Sequence, residues 1–358
     1  MEIKLVQLPQ EKRKLKPVDD SQLGFGRIFT DHMFTMRYEP SKGWHEPKIG
    51  PVEDIVLHPA AMVLHYGQEV FEGLKAYHGA EHGIYLFRQR DNIARFNRSC
   101  KRMVMPEVDP QIFDRAIKKL VLVERDWIPE AEGSSLYIRP TIIATDPFLG
   151  VRPSNDYLFF IIVGPVGAYY PEGFNPVSIF VSDRYVRAVS GGVGEAKTSG
   201  NYAASLAGQI EAQELGFSQV LWLDAIERRY VEEVGTMNIF FVIDDEVITP
   251  SLTGSILPGV TRESVLTLGK EWGLKMVERM ISINEVVDAQ KSGRLKEVFG
   301  TGTAAIISPV RDFRYKEDDF QVADAKTGPI AQRFYDMLLA YQYGRESDPY
   351  GWVERIDK

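Results

Sequence analysis

The chain of 358 residues has one cysteine, Cys100. A single thiol closes no disulfide within the chain and builds no zinc site alone. The six histidines form no HExxH or other close ligand pairing, so they read as solvated or core-edge side chains and no metal is expected. Long apolar runs are missing as well. The stretch LFFIIV at 158–163 is far short of a membrane span. The opening MEIKLVQLPQEKRKLKP lacks the apolar core of a secretion signal. Basic excess is also absent: 42 basic against 50 acidic residues give −8, which argues against a uniformly basic nucleic-acid binder. No Walker P-loop, no GxSxG elbow and no GxGxxG opening a helix after a strand occurs, which argues against P-loop NTPases, serine hydrolases and Rossmann dehydrogenases. The expectation is a cytoplasmic protein with no membrane or nucleic-acid partner.

What is present is ordinary globular material, 44% hydrophobic and 26% charged, enough for large cores without staples. The length suggests two domains. Apolar spacing predicts helices over 88–105, with Asp91 as a cap, and over 110–127. Strands are expected over 135–145 and 157–163. The segment 164–176, GPVGAYYPEGFNP, is crowded with glycine and proline and marks the expected boundary, giving domains 1–170 and 171–358. Beyond it, strands are expected at 177–181, 219–223, 238–243 and 275–281. Helices are expected at 203–215, 260–272, 284–292 and 330–343. The fold class is an α/β mixture.

The stretch SGGVGEAKTSGNYAASL at 190–206 is the most informative. Lys197 stands among four glycines just before an Ala-rich helix. Taken alone it is a solvated lysine; in a small-residue site, desolvated or beside a cation, such an amine is a nucleophile toward a carbonyl. Tyr202 is either a core tyrosine or a partner for a cofactor oxygen. Glu232 and Glu233 lie in a strand and should face opposite sides. The inward one needs a partner, for which a protonated pyridine nitrogen is suitable, and either one can instead be a surface charge. LPGVT at 257–261 precedes a helix whose first N–H groups suit a phosphate, and also reads as plain capping. GTGTA at 300–304 reads as a second small-residue loop, offering the Thr301 and Thr303 hydroxyls. Arg95 is a phosphate contact or an exposed helix charge. Together these features suit pyridoxal phosphate better than a nucleotide.

Seven motifs extend this reading: HYGQEVFEGLKAY (65–77), NIARFNRSCKRMVMP (92–106), SLYIRPT (135–141), GGVGEAKTSGNYAASL (191–206), EVGTMNIFF (233–241), GSILPGVT (254–261) and EVFGTGTAAIISPV (297–310). In this order they resemble the branched-chain amino acid aminotransferases of pyridoxal-phosphate fold type IV. The resemblance implies a smaller N-terminal α/β domain and a larger C-terminal domain with a barrel-like sheet, which carries the Schiff-base lysine, Lys197. It implies pyridoxal 5′-phosphate, with Glu233 at the pyridine nitrogen, Tyr202 at the 3′-oxygen, and Arg95, the backbone of Val260 and Thr261, and Thr303 at the phosphate. Tyr137, Arg139, Thr236, Ala304 and Ala305 match the substrate-carboxylate region, and Phe71 and Phe25 match pocket walls. Tyr66, Leu149 and Val151 match positions donated by the neighbouring subunit, which implies a homodimer. The implied reaction is reversible amino transfer between L-leucine, L-isoleucine or L-valine and 2-oxoglutarate. Discrimination among the three should be modest, since one methylene is worth only about 1–3 kcal/mol. The Cys-x-x-Cys pair of some animal members is replaced here by Ala305 and Ser308, so no thiol switch is implied. Neighbouring activities on the same fold, D-amino acid transfer and aminodeoxychorismate cleavage, lack the SLYIRPT context. A non-catalytic scaffold is the remaining alternative.

Overall fold

The computed structural model describes residues 1–17, 19–167 and 174–358. The chain divides into two compact units. One is Met1–Tyr169 with Ala196–Ser199 and Leu339–Lys358; the other is Tyr170–Glu195 with Gly200–Leu338. Within the expected boundary segment, residues 168–173 lie outside the described residues. The first unit is the larger, and it includes the four residues around Lys197, a position that the sequence places in the second domain.

The first unit is built on one sheet, and its strands run β1 (Lys4–Leu5), β2 (His32–Glu39), β3 (Gly43–Pro51), β4 (Glu69–Phe71), β5 (Leu74–His78), β6 (Ile84–Phe87), β7 (Ser135–Ala144) and β8 (Tyr157–Val166). The spatial order is β1-β3-β2-β8-β7-β5-β6, then the C-terminal strand Val353–Arg355, with β4 also beside β7. Helix α1 (Met62–Tyr66) leads into β4, and α2 (Gln89–Arg102) and α3 (Pro110–Val123) follow β6. Side chains alternate along a strand. Leu136, Ile138 and Ile142 of β7, with Phe159, Ile161 and Val163 of β8, therefore share the face that packs on the helices. Ile93, Phe96 and Cys100 of α2 and Phe113, Ile117 and Leu120 of α3 recur at helical spacing and complete this core. Phe113 stands edge-on to Phe96 (5.0 Å) and Phe159 (4.7 Å), contacts worth about 0.5–1.5 kcal/mol each beyond the area buried. Asp109 caps α3 by accepting from Gln111 N (2.7 Å) and Ile112 N (3.3 Å), with Pro110 opening the first turn. The opposite sheet face carries Tyr137, Arg139 and Thr141 of β7, with Phe71 of β4 paired to Thr141.

The second unit has a sheet of β9 (Val177–Ser182), β10 (Gln219–Leu223), β11 (Val231–Val234), β12 (Asn238–Ile243), β13 (Glu246–Thr249), β14 (Lys275–Glu278), β15 (Leu295–Gly302), β16 (Ile306–Tyr315) and β17 (Asp318–Gln321). The order is β11-β10-β9-β16-β15-β12-β13-β14, with β17 beside β16. The tight turn joining β11 to β12 is closed by reciprocal Val234–Met237 backbone bonds of 2.9 Å. The path of strands from β11 to β12 therefore returns on itself, and the sheet is curled and barrel-like. Helices α4 (Ser199–Glu214), α5 (Val260–Glu271), α6 (Ile283–Lys291) and α7 (Pro329–Gln342) accompany it.

Three local expectations are corrected. Asp91 does not cap α2. Arg88 is the N-cap, in the left-handed region at φ 52°, and its Nε donates to Asp91 at 2.8 Å. Gly300–Gly302 are not loop but the end of β15, because pairing to β12 on one side and β16 on the other overrides the weak strand preference of glycine. His32 is neither solvated nor at the core edge; it is fully buried, with Nδ1 against the Glu124 carboxylate and Nε2 accepting from Leu8 N at 2.8 Å. Among the described residues, no helix is long and apolar enough to cross a membrane.

Candidate active site

In the first unit, Lys197 is fixed to the sheet by its own main chain. Its N–H donates to Ser99 Oγ (2.9 Å), and its carbonyl accepts from Phe71 N (3.1 Å) at the end of β4. The next residue, Thr198, donates its hydroxyl to Glu69 O at 2.7 Å. The half-buried amine then lies 5.0 Å from the centroid of the Phe71 ring. Glu72, the residue after Phe71, is fully buried and accepts from Arg95 Nε (2.7 Å) and Nη2 (2.9 Å), from Asn92 Nδ2 (3.0 Å) and from Gly73 N (3.0 Å). Burial pushes its pKa up. The Arg95 charge and hydrogen bonds, the Lys197 charge and the Asn92 amide outweigh burial and hold it below the ordinary 4.5. Arg95, expected at a phosphate, is thus buried in a bidentate pair with Glu72.

The same sheet face assembles the expected substrate region. Arg139 Nη2 donates to Tyr137 Oη (3.0 Å), and its guanidinium lies 4.8 Å from the Phe71 ring centroid and 5.2 Å from that of Tyr137. Phe25 packs edge-on to Tyr137 at 4.9 Å. Gly73 is required for this arrangement, because a Cβ there would stand 2.1 Å from the Tyr137 hydroxyl. Tyr66, Leu149 and Val151 are all exposed, and Tyr66 donates to Leu149 O.

In the second unit, Glu233 on β11 is buried. Its Oε1 accepts from Asn238 Nδ2 (3.2 Å) and Leu257 N (3.2 Å), and Arg187 Nε lies 2.6 Å from its Oε2. Glu232 is not solvated, as alternation suggested. It is 6% exposed and accepts from the Ser255 hydroxyl, and burial pushes its pKa up. Both acids are buried because β11 is covered on both faces. Gly259 precedes α5 without a side-chain cap, and a Cβ on it would lie 2.0 Å from Asn238 Oδ1. The first N–H groups of α5, at Val260 and Thr261, therefore start close to Asn238. Thr301 pairs with Asn238 across β12 and β15, so both side chains share a face, and the Thr301 Oγ1 is buried with no hydrogen-bond partner among the described residues. Thr303, Ala304 and Ala305 form the half-buried turn between β15 and β16, Thr236 is exposed in the turn after β11, and Tyr202 is half-buried near the start of α4.

The donor set fits a phosphorylated pyridine aldehyde. An uncapped helix start and an orphaned hydroxyl are the environment of a phosphate, and a buried carboxylate ringed by donors is a partner for a cationic ring nitrogen. Sequence reading did not single out Glu72, Arg187, Asn238 or Ser99. Glu72 did stand inside the motif HYGQEVFEGLKAY, whose charged residue between Phe71 and Gly73 was the available signal.

Comparisons with known proteins agree with this geometry. The family described as Amino-transferase class IV matches residues 69–313. "Branched-chain-amino-acid aminotransferase 2" of Bacillus subtilis is 53% identical over 96% of this chain and 94% of its own length. A "Probable branched-chain-amino-acid aminotransferase" of Staphylococcus aureus is 51% identical over 98% and 97%. Among solved structures, a branched-chain amino acid aminotransferase of T.th. with pyridoxamine 5′-phosphate superposes with TM-score 0.77 at 28% identity, covering 92% of this chain and 100% of that one. The Escherichia coli branched-chain amino acid aminotransferase gives 0.73 at 28%, over 92% and 99%. The chain belongs to the class IV aminotransferases and, within them, to the branched-chain-amino-acid aminotransferases. Its cofactor is pyridoxal 5′-phosphate.

Proposed function

We propose that the chain catalyses reversible amino transfer between L-leucine, L-isoleucine or L-valine and 2-oxoglutarate, giving the branched 2-oxo acids and L-glutamate, with Lys197 as its reactive amine. The observation that carries this reading is the amine of Lys197, strapped by the Phe71–Lys197 backbone bond and set over the Phe71 ring beside the Glu72–Arg95 pair. When bound, pyridoxal phosphate supplies an aldehyde for the amino group and an electron-withdrawing ring that eases loss of the α-proton.

The chain's own residues do the rest. Lys197 holds the cofactor covalently, then takes and returns the substrate's α-proton at its Nζ. Glu233, oriented by Asn238 and the Leu257 N–H, receives the ring nitrogen, and Tyr202 the ring oxygen. The N–H groups of Val260 and Thr261, the Thr303 hydroxyl and Arg95 hold the phosphate. Tyr137 and Arg139 bind the substrate carboxylate, with Thr236, Ala304 and Ala305 completing that region, while Phe71 and Phe25 give an apolar wall suited to branched hydrocarbon side chains.

A homodimer and cytoplasmic residence belong to the same proposal. Tyr66 donates to Leu149 O, and Leu149 and Val151 are 61% and 87% exposed, apolar surface suited to a second copy of the chain. The one cysteine is buried, as a reducing compartment permits. Replacement Lys197→Ala should lower turnover with leucine by more than about a thousandfold, as removal of a combined nucleophile and base does, while leaving the thermal transition in place. Borohydride reduction of the wild type followed by peptide mass spectrometry should place the phosphopyridoxyl adduct on Lys197. Multiple turnovers by the alanine variant, or an adduct on another lysine, would remove the assignment.

A further inference from the structure

Helix α3 buries Ile112, Phe113, Ile117 and Leu120 in the core of the first unit. Helical spacing turns Arg115, Lys118, Lys119 and Leu122, at i, i+3, i+4 and i+7, to the opposite face. The N-terminal segment lies along that face. Arg115 Nη2 donates to Met1 O (3.2 Å), and Lys119 Nζ donates to Ile3 O (2.8 Å). Segment and helix border an open groove of about 910 Å³, a volume that small-molecule sites commonly have. Its apolar lining is aliphatic, made by Met1, Ile3, Leu122 and Val123, with no aromatic ring. The groove shares no lining residue with the Lys197 site.

Five cations line the groove, Arg13, Arg115, Lys118, Lys119 and Arg125, against two acids, Glu2 and Asp126. Lys118 is matched by Asp114 (2.6 Å) and Glu354 (2.6 Å), and Asp126 by Lys16 (3.4 Å). The other four cations make no ion pair among the described residues. Arg13, Arg115 and Lys119 donate to main-chain carbonyls, which leave their charge uncancelled. Four positive charges thus face the single carboxylate of Glu2, on a chain whose net charge is −8. Like charges gathered at one groove repel, and an anion seated among them relieves the repulsion. Three of the four are arginines, whose planar forks each take two oxygens of a phosphate. We propose that this groove binds a soluble aliphatic phosphate ester, with the phosphate between the arginines and the hydrocarbon chain against Ile3, Leu122 and Val123. A phosphate monoester brings about 1.5–2 negative charges at pH 7, enough to offset most of the excess. The lining offers no ring on which a nucleotide base could stack, which favours an alkyl chain over a base.

The test uses the holoenzyme, so that the cofactor site is closed to the probe. Titration calorimetry with n-octyl phosphate, kept below its micelle-forming concentration, should show one site per chain. Binding should be at least about tenfold tighter than that of ethyl phosphate, which lacks the long chain. Raising the salt from about 0.05 to 0.5 M should weaken it severalfold. Arg115 and Arg125 are exposed, so Arg115→Gln with Arg125→Gln leaves the core untouched. In that double variant octyl phosphate should bind about tenfold more weakly or worse, with leucine turnover at the wild-type level. Equal binding by wild type and double variant, equal affinity for the two esters, or inhibition competitive with L-leucine would overturn the proposal. Recruitment of the holoenzyme to phosphatidylglycerol vesicles without binding of free octyl phosphate would also overturn it, and would assign the groove to a membrane surface.

Discussion

Replacement of Glu72 by glutamine probes the charge pattern on which the Lys197 site stands. In the native protein the carboxylate accepts four hydrogen bonds, two from Arg95 and one each from Asn92 and the Gly73 amide, and both members of the ion pair are buried. Glutamine keeps the shape but offers one acceptor oxygen and turns an NH2 group toward donors. Arg95 is then left buried without its counter-charge. Breaking a buried pair from one side costs about 3–5 kcal/mol. A unit of this size shifts its Tm by about 2–4 °C per kcal/mol, so calorimetry of the holoenzyme should show a drop of about 6–20 °C. Measured on the cofactor-free protein, so that the phosphate contact proposed for Arg95 does not enter, the double variant Glu72→Met with Arg95→Met should regain most of that loss, because replacing both partners by hydrocarbon is close to neutral. The effect has a defined pH dependence. The folded pKa of Glu72 lies below its ordinary value, so the stabilisation is fully present above the unfolded carboxylate range and is lost as pH falls through the folded value. The gap between wild type and Glu72→Gln should therefore be constant from neutral pH to about 5 and close at lower pH. A glutamine variant within about 0.5 kcal/mol of wild type at pH 7, or a gap that widens on acidification, would refute the argument.

Two further predictions concern groups around the same sheet. Gly73→Ala places a Cβ where the Tyr137 hydroxyl now lies, at 2.1 Å, so the phenol must move. The expected result is a loss of about 1–3 kcal/mol in stability, measured by urea denaturation, together with a raised KM for all substrates; an unchanged KM would show that Tyr137 does not bind them. Cys100 is buried, and burial, with the nearby Glu107 charge, raises its thiol pKa well above the usual range. It should resist iodoacetamide in the native state and react only on unfolding, and rapid alkylation of the folded enzyme would contradict that burial.

Much of the scaffold can be read directly from residue patterns. Strands at 219–223 and 238–243 show as apolar, β-branched and aromatic runs, and they form over those residues. The β2–β3 hairpin escapes such reading. Its strands mix Thr, Arg, His, Glu and Lys with apolar residues, and an irregular register between Thr35 and Arg37 breaks the alternation. The site divides in the same way. Lys197 is marked by its glycine-rich surroundings and Glu233 by the turn that follows it, because both features are local. The partners of those groups are not. Glu72 meets Arg95 only once β4 and α2 have packed, and Arg187 meets Glu233 only once β11 has paired into its sheet. Charges that neutralise each other across such separations look, in sequence, like any other surface residues.

The attachment of Lys197 to the first unit has a consequence for catalysis. The loop before it is held within the second unit, where Arg187 Nη2 donates to Gly194 O (3.3 Å) and Asn201 Nδ2 to Val193 O (2.8 Å). Three bonds within the first unit hold the main chain at Lys197: from its N–H to Ser99 of α2, from Phe71 N–H of β4 to its carbonyl, and from Thr198 to Glu69 of β4. Strand β4 thus carries Phe71, an expected wall for the substrate side chain, and leads straight into Glu72, while its edge holds the main chain of Lys197, the amine proposed as reactive. Because β4 is paired to β7, the strand that carries Tyr137 and Arg139, the Lys197 amine and the groups proposed to bind the substrate carboxylate belong to one hydrogen-bonded scaffold. Reactions that require the amine and a bound carboxylate in fixed register gain most from such rigidity, since displacement by about 1 Å can cost a hundredfold in rate.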